Sequence, residues 1–230
     1  MVDLKEFEQK AADLRVLGMK ISIGQDTVYE KYWDEDCRRN IYSASKSFTS
    51  CAVGFAVQEG LIDLDERLVD AFKEDIPNNP DENLKKATVK DLLTMTLGQE
   101  KGFLMGKQRP RMEEQNWVKA SLAIPFVYEP GTHFVYNNVG PYLAGILVQR
   151  RAGCDLLSYL TPRLLKPLGI RKTIWEVDPE GNTFGAGGLF LTVSELHKLG
   201  MFYLQNGCWN GKKLLSKEWI HESTRKQVEN

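Results

Sequence analysis

Ser43 and Lys46 are the first residues whose types and spacing could do chemistry, in the stretch Tyr42-Ser43-Ala44-Ser45-Lys46-Ser47-Phe48. A serine hydroxyl attacks a carbonyl only as it loses its proton to a nearby base. On a helix, a lysine three residues on lies one turn away on the same face. Its amine can take or relay the proton when burial lowers its pKa. Phe48, Cys51, Ala52, Phe55 and Ala56 follow at helical spacing as far as Gly60, so the segment reads as a buried helix with Ser43 as its first residue. There, free backbone N–H groups can face a developing anion. The spacing alone is weak, because Ser223-x-x-Lys226 also satisfies it in a polar stretch with no sign of a pocket. Extended sequence before Ser43 and the apolar helix after it favour the first match.

The second element is Tyr136-Asn137-Asn138. A tyrosine beside a lysine ammonium ionises more readily and can then act as a base. Asn138 offers an amide donor and acceptor to hold a carbonyl or the lysine. By itself such a tyrosine is an ordinary half-buried aromatic. Its place after Pro130-Gly131 and before a helical pattern, where side chains project into clefts, gives it weight.

The elements that must position these groups follow from periodicity and turn chemistry. Leu4, Phe7, Ala11 and Leu14 form a stripe, which predicts a helix over 3–16 that stops at Gly18. Met19–Ile23 and Thr27–Trp33 read as strands of a hairpin about Gly24-Gln25-Asp26. Leu61–Glu66 is an acidic connection and Pro77–Asp81 a loop. Thr88 to Asp91 resembles a capping box, opening a helix through Met95 that Gly98 stops. Residues 99–116 read as a long surface loop and pocket rim. Helices are expected over Trp117–Leu122, Tyr142–Arg151 and Asp155–Leu168, the last broken by Pro162 and Pro167. Gly185-Ala186-Gly187-Gly188 reads as a tight turn rather than a nucleotide loop, since no β-α alternation follows it. Thr192 to Glu195 opens a helix to Asn206, Lys212–Leu215 is short and extended, and Ser216 caps a last helix around Trp219.

Composition narrows the classes. The 230 residues carry a net charge of −1, with 42% hydrophobic and 27% charged residues, so neither nucleic acid nor an anionic membrane is an expected partner. No apolar run reaches membrane-spanning length, and the charged N-terminus is unlike a secretion signal, so a cytoplasmic location is expected unless a leader lies outside this sequence. The four cysteines form no C-x-x-C pair and read as reduced. The three histidines lack metal-ligand spacing, and no metal or other cofactor is expected.

Ser43-x-x-Lys46, then Tyr136-x-Asn138 between Glu129-Pro130-Gly131 and Gly140-Pro141-Tyr142-Leu143-Ala144-Gly145, resembles the serine β-lactamase and penicillin-binding-protein superfamily, in its class C and esterase-like branch. Leu92–Gly98, Pro167–Ile170 and Gly187–Thr192 resemble the intervening and following segments, from about Met19 onward. The resemblance implies an α/β fold of α+β type: an antiparallel sheet flanked by helices, with a mainly helical lobe beside it. The first lobe would combine 1–45 with 185–230 and the second would span 46–184. Ser43 would attack an amide or ester, such as a β-lactam, a D-alanyl peptide or a small ester, and form an acyl-enzyme. Lys46 and Tyr136 would manage the proton, Asn138 would bind substrate, and the Ser43 N–H would be one oxyanion donor. The family's third motif, Lys or His followed by x-Gly on a late strand, has only Lys198-Leu199-Gly200 as a match, inside a helical pattern. The sheet is therefore expected to be incomplete, from a fragment, from a shortened protein, or because a partner chain supplies strands. Two other readings stand beside acyl transfer: a non-catalytic binder that is acylated slowly or not at all, and a Ser-His-acid hydrolase using His133, which lacks a G-x-S-x-G motif.

Overall fold

The segment that leads to Ser43 is pinned between a hairpin and a helix that lie far apart in sequence. In the computed structural model, which describes residues 4–11 and 13–229, the chain opens with α1 (Lys5–Ala11). The helix is shorter than the stripe predicts; positions 3 and 12 of the expected span lie outside the described residues, and Leu14 is 67% exposed. Arg15 turns the chain at a φ of 53°, and β1 (Gly18–Ile23) begins at the glycine expected to end the helix. Phe7 meets Trp33 edge-on at 6.0 Å, and the Glu8 carboxylate accepts from Tyr29 at 2.6 Å and Lys31 at 2.5 Å, which fastens α1 to the hairpin.

β1 pairs antiparallel with β2 (Asp26–Tyr32), in a register running from Gly18 opposite Tyr32 to Ile23 opposite Asp26. Asp26, expected in the turn, is the first residue of the strand. β3 (Arg39–Asn40) precedes a 3₁₀ turn (Tyr42–Ala44) that runs into α2 (Ser45–Gln58). α3 (Leu68–Ala71), α4 (Glu82–Lys86) and α5 (Val89–Thr94) follow. α5 stops at Met95, which takes the left-handed conformation at a φ of 57°, three residues before the expected glycine. Residues 95–116 hold one 3₁₀ turn (Arg109–Arg111), and then come α6 (Trp117–Leu122), α7 (Val139–Ala152) and α8 (Leu156–Leu160). α7 starts three residues early because Pro141 fits a first turn, where its missing N–H costs nothing. α8 passes into a wider turn over Thr161–Leu165, where Pro162 cannot donate. β4 (Phe190–Leu191), α9 (Val193–Leu204), β5 (Cys208–Trp209), β6 (Lys212–Lys213) and α10 (Lys217–Thr224) complete the order.

Strands among the described residues form three two-stranded antiparallel pairs, β1 with β2, β3 with β4 and β5 with β6, so the fold is mixed α and β with antiparallel pairing. α2 and α7 are apolar around most of their circumference and form the centre of a single continuous core. α7 crosses α5 so closely that a Cβ on Gly140 would sit 2.1 Å from the Leu92 carbonyl oxygen. That approach sets the height at which Asn138, the residue before α7, enters the site. All four cysteines are free; Cys51 is fully buried, and burial pushes its thiol up to about 12. No helix of the described residues is long and apolar enough to cross a membrane.

Candidate active site

Residues 34–41 carry Ser43 to its place. Asp36 accepts from the N–H of Val193 at 2.8 Å, capping the start of α9, and Arg38 binds Glu195 at 2.7 and 3.0 Å. Thr192 and Glu195 exchange the two bonds of a capping box there, at 3.0 and 3.2 Å. β3 and β4 then pair, and the Ile41 N–H donates to Leu189 at 2.9 Å. The buried Ser45 hydroxyl accepts from the Leu189 N–H at 3.1 Å, which binds the start of α2 to the residue just before β4. Between these anchors Tyr42 adopts a φ of 47°, its N–H held by Asn40 Oδ1 at 2.7 Å. Ser43 lies in the 3₁₀ turn and not in the helix, and it is exposed rather than buried. The turn aims the hydroxyl outward at the helix entrance.

Lys46 is the hub. Its Nζ donates to Asn138 Oδ1 at 2.7 Å, to the Ala186 carbonyl at 2.6 Å and to Ser43 Oγ at 3.1 Å. Two short bonds to fixed acceptors leave the third tetrahedral direction, lone pair or N–H, pointing at Ser43. Asn138 is itself fixed, its Nδ2 donating to the Leu104 carbonyl at 2.9 Å. Tyr136 donates its hydroxyl to Ser43 Oγ at 2.8 Å, and its ring centroid lies 5.2 Å from the Lys46 nitrogen. Burial holds the Lys46 amine below its ordinary range and outweighs the opposing pull of Tyr136, while the Arg109 charge lowers it further. Burial would raise Tyr136, but the Ser43 bond and the Lys46 charge bring its phenol below the usual range. Loss of one proton from the pair would leave a base beside Ser43.

The structure thus brings Ser43, Lys46, Tyr136 and Asn138 together. His133 is elsewhere: it bonds to Thr132 at 2.7 Å and stacks on Tyr128 at 4.3 Å. Lys198 lies within α9 and donates to the Gly169 carbonyl at 3.1 Å. Ser223, expected away from any pocket, instead lines a cavity of about 120 Å³ with Lys46, Leu93, Met95 and Trp219, though its hydroxyl is spent on the Ile220 carbonyl at 3.1 Å. Three contributors escaped the sequence reading. Ala186 acts through its carbonyl, which no side-chain pattern announces. Leu104 and Arg109 come from the stretch read as surface loop, yet Leu104 is fully buried and Arg109 pairs with Glu176 at 3.1 Å. A large apolar residue in a polar loop, Phe103-Leu104-Met105, was the available signal. No cluster of histidine, cysteine and carboxylate side chains among the described residues is grouped for a metal ion.

Comparison with known proteins points to the family that the sequence resembles. The Beta-lactamase family model matches residues 5–228. A monacolin J acid methylbutanoyltransferase of Aspergillus terreus is 32% identical over 157 residues, covering 60% of this chain and 37% of that protein. A lovastatin esterase of Penicillium rubens is 31% identical over 150 residues, 56% of this chain and 37% of the esterase. Among solved structures, the octameric penicillin-binding protein homologue from Pyrococcus abyssi superposes with a TM-score of 0.78 at 21% identity, covering all of this chain and 61% of that one. The matches therefore span well under half the length of those two curated relatives.

Proposed function

This chain belongs to the β-lactamase family, and on that premise we propose that it is a serine hydrolase that works by acyl transfer through an acyl-enzyme on an amide or ester. The observation that carries the reading is the convergence on Ser43 Oγ of the Tyr136 hydroxyl at 2.8 Å and the Lys46 amine at 3.1 Å. Ser43 is the nucleophile. Its proton passes to the Lys46–Tyr136 pair as Oγ bonds to the carbonyl carbon, and the same pair returns a proton to the leaving group. Asn138 holds Lys46 and offers its amide to substrate, and the Ser43 N–H is an oxyanion donor. One relative is named as a methylbutanoyltransferase and another as an esterase, which supports small esters among the substrates. Named strands of the described residues fall within 18–40 and 190–213, which supports an α/β lobe of 1–45 with 185–230 beside a helical lobe of 46–184. β1 and β2 pair only with each other among the described residues, which supports strand addition by a partner chain or a further segment to complete the sheet.

The test is to treat the protein with p-nitrophenyl butyrate and with a fluorescent penicillin, following product release and intact mass. Ester turnover with a butyryl adduct on Ser43 is expected, abolished in Ser43→Ala and unchanged in Ser223→Ala. Labelling without turnover would favour a binder that is acylated and stalls. No adduct in the native protein, or an undiminished reaction in Ser43→Ala, would overturn the assignment.

A further inference from the structure

Leu104 is an apolar residue held in a backbone conformation that suits glycine. Its φ is 55°, in the left-handed region, where the Cβ of an L-residue crowds the following carbonyl. Its side chain is fully buried in the core, so the residue is not a surface turn. Such a conformation persists only where its surroundings over-determine it. The Gln108 side chain spans the two sides of Leu104, its Oε1 accepting from the Met105 N–H at 2.9 Å and its Nε2 donating to the Gly102 carbonyl at 3.4 Å. The Met105 carbonyl accepts from the N–H groups of Gln108 at 2.8 Å and Arg109 at 3.1 Å, and the Arg109 side chain is tied to Glu176 at 3.1 Å.

Residues 102–104 lie along residues 136–138. A Cβ on Gly102 would come within 2.7 Å of the Tyr136 carbonyl oxygen, and the Phe103 carbonyl accepts from the Asn138 N–H at 3.2 Å. The Leu104 carbonyl accepts from Asn138 Nδ2 at 2.9 Å. A carbonyl can only accept, so it fixes which end of the Asn138 amide faces it. Nδ2 turns to Leu104, and Oδ1 is left to face the Lys46 amine, 2.7 Å away. The reverse orientation would set oxygen against oxygen at Leu104 and an amide N–H against the amine at Lys46. From Lys46 the series of contacts ends at Ser43 Oγ, at 3.1 Å.

We propose that Leu104 is a positioning residue for the acyl-transfer centre: its left-handed backbone aims its carbonyl at Asn138 and locks that amide in the one orientation that gives Lys46 an acceptor. This rests on the function proposed above. The buried side chain is the anchor that holds the strained backbone in place. A residue that resists a positive φ more strongly, or is anchored less well, lets the carbonyl swing away, and the Asn138 amide is then free to turn.

The test is single-turnover acylation by p-nitrophenyl butyrate in Leu104→Val, Leu104→Ala and Leu104→Gly, each also made in an Asn138→Ala background, with a thermal melt of every variant. Glycine takes a positive φ freely, alanine resists it, and β-branched valine resists it most. Packing and aim therefore predict opposite orders. Leu104→Val keeps most of the buried volume and the fold, yet its rate at saturating ester is expected to fall roughly 5- to 30-fold, the population change that the left-handed penalty of a non-glycine residue allows. Leu104→Ala is expected to fall at least as far. Leu104→Gly should melt lowest and still acylate faster than Leu104→Ala. The ester concentration at half-saturation should stay within about twofold of native, because the lost interaction orients the base and not the substrate. In the Asn138→Ala background the three substitutions should slow acylation no further. A rate that falls in step with melting temperature from valine through alanine to glycine would overturn the proposal, as would equal losses in both backgrounds. A native protein that takes no acyl group would defeat the proposed function instead. The side-chain amide resonances of Asn138, assigned by their loss in Asn138→Ala, would then decide the aim: displaced in Leu104→Val and Leu104→Ala but native-like in Leu104→Gly if it holds, and unmoved in all three if it does not.

Discussion

Replacing Asn138 by aspartate changes one atom type at the hub of the site. Asn138 is 8% exposed, its oxygen 2.7 Å from the Lys46 nitrogen and its amide nitrogen 2.9 Å from the buried Leu104 carbonyl. In Asn138→Asp the first contact becomes an ion pair. An opposite charge this close raises a lysine pKa by about 1–3 units. The change acts against the burial that now holds Lys46 low. The added anion also opposes the Tyr136 phenolate, so the pair moves in one direction. Below both midpoints the base-bearing fraction falls tenfold per unit, so acylation at pH 7 is expected to drop about 10- to 1000-fold. Activity should be fully present above the raised midpoint and lost as pH falls through it. The second contact sets two acceptors face to face, and its loss costs about 1–3 kcal/mol of stability, partly offset by the new ion pair. Stopped-flow acylation with p-nitrophenyl butyrate from pH 6 to 11, with a thermal melt at each end, reads both effects. A rate loss of the same size at every pH, or an acid limb at the native position, would refute the view that Asn138 controls the lysine's proton.

The other expectations concern groups whose roles separate chemistry from packing. Tyr136→Phe removes a hydroxyl from a residue 44% exposed, so the melting temperature should stay within a degree or two while acylation falls by about 10²–10⁴; native-like acylation would shift the base to Lys46 alone. Gly140→Ala drives a methyl against the Leu92 carbonyl at 2.1 Å, and prying α5 from α7 should cost about 2–3 kcal/mol, some 5–10 °C of melting temperature. Thr192→Ala breaks the capping box of α9 and should cost about 1 kcal/mol with acylation unchanged, checked by urea unfolding beside the ester assay.

Much of the site was legible before any coordinates. Ser43 and Lys46 are three residues apart on the approach to an apolar helix, and local geometry alone puts their side chains together. Asn138 could be paired with Tyr136 for a similar reason, both sitting at the entrance of α7. The capping boxes at Thr88 and Thr192 and the N-cap at Ser216 were readable because a helix start is a local bargain between one side chain and the next turn's N–H groups. The stop of α5 at Met95 rather than Gly98 was not, because a non-glycine residue accepts a left-handed φ only where its surroundings hold it there. At Met95 the chain is taken over by Val135, whose N–H donates to the Met95 carbonyl at 3.0 Å.

The sequence by itself put Ser43 with Lys46 and Tyr136 with Asn138, since each pairing rests on spacing within one segment. Tertiary structure alone decided what holds them in register. The Ala186 carbonyl reaches Lys46 across 140 residues, and Arg109 reaches Glu176 across 67. A backbone carbonyl has the same chemistry at every position, and an arginine in a polar loop announces no partner. Only the packing of distant segments against one core selects which of them meets the lysine.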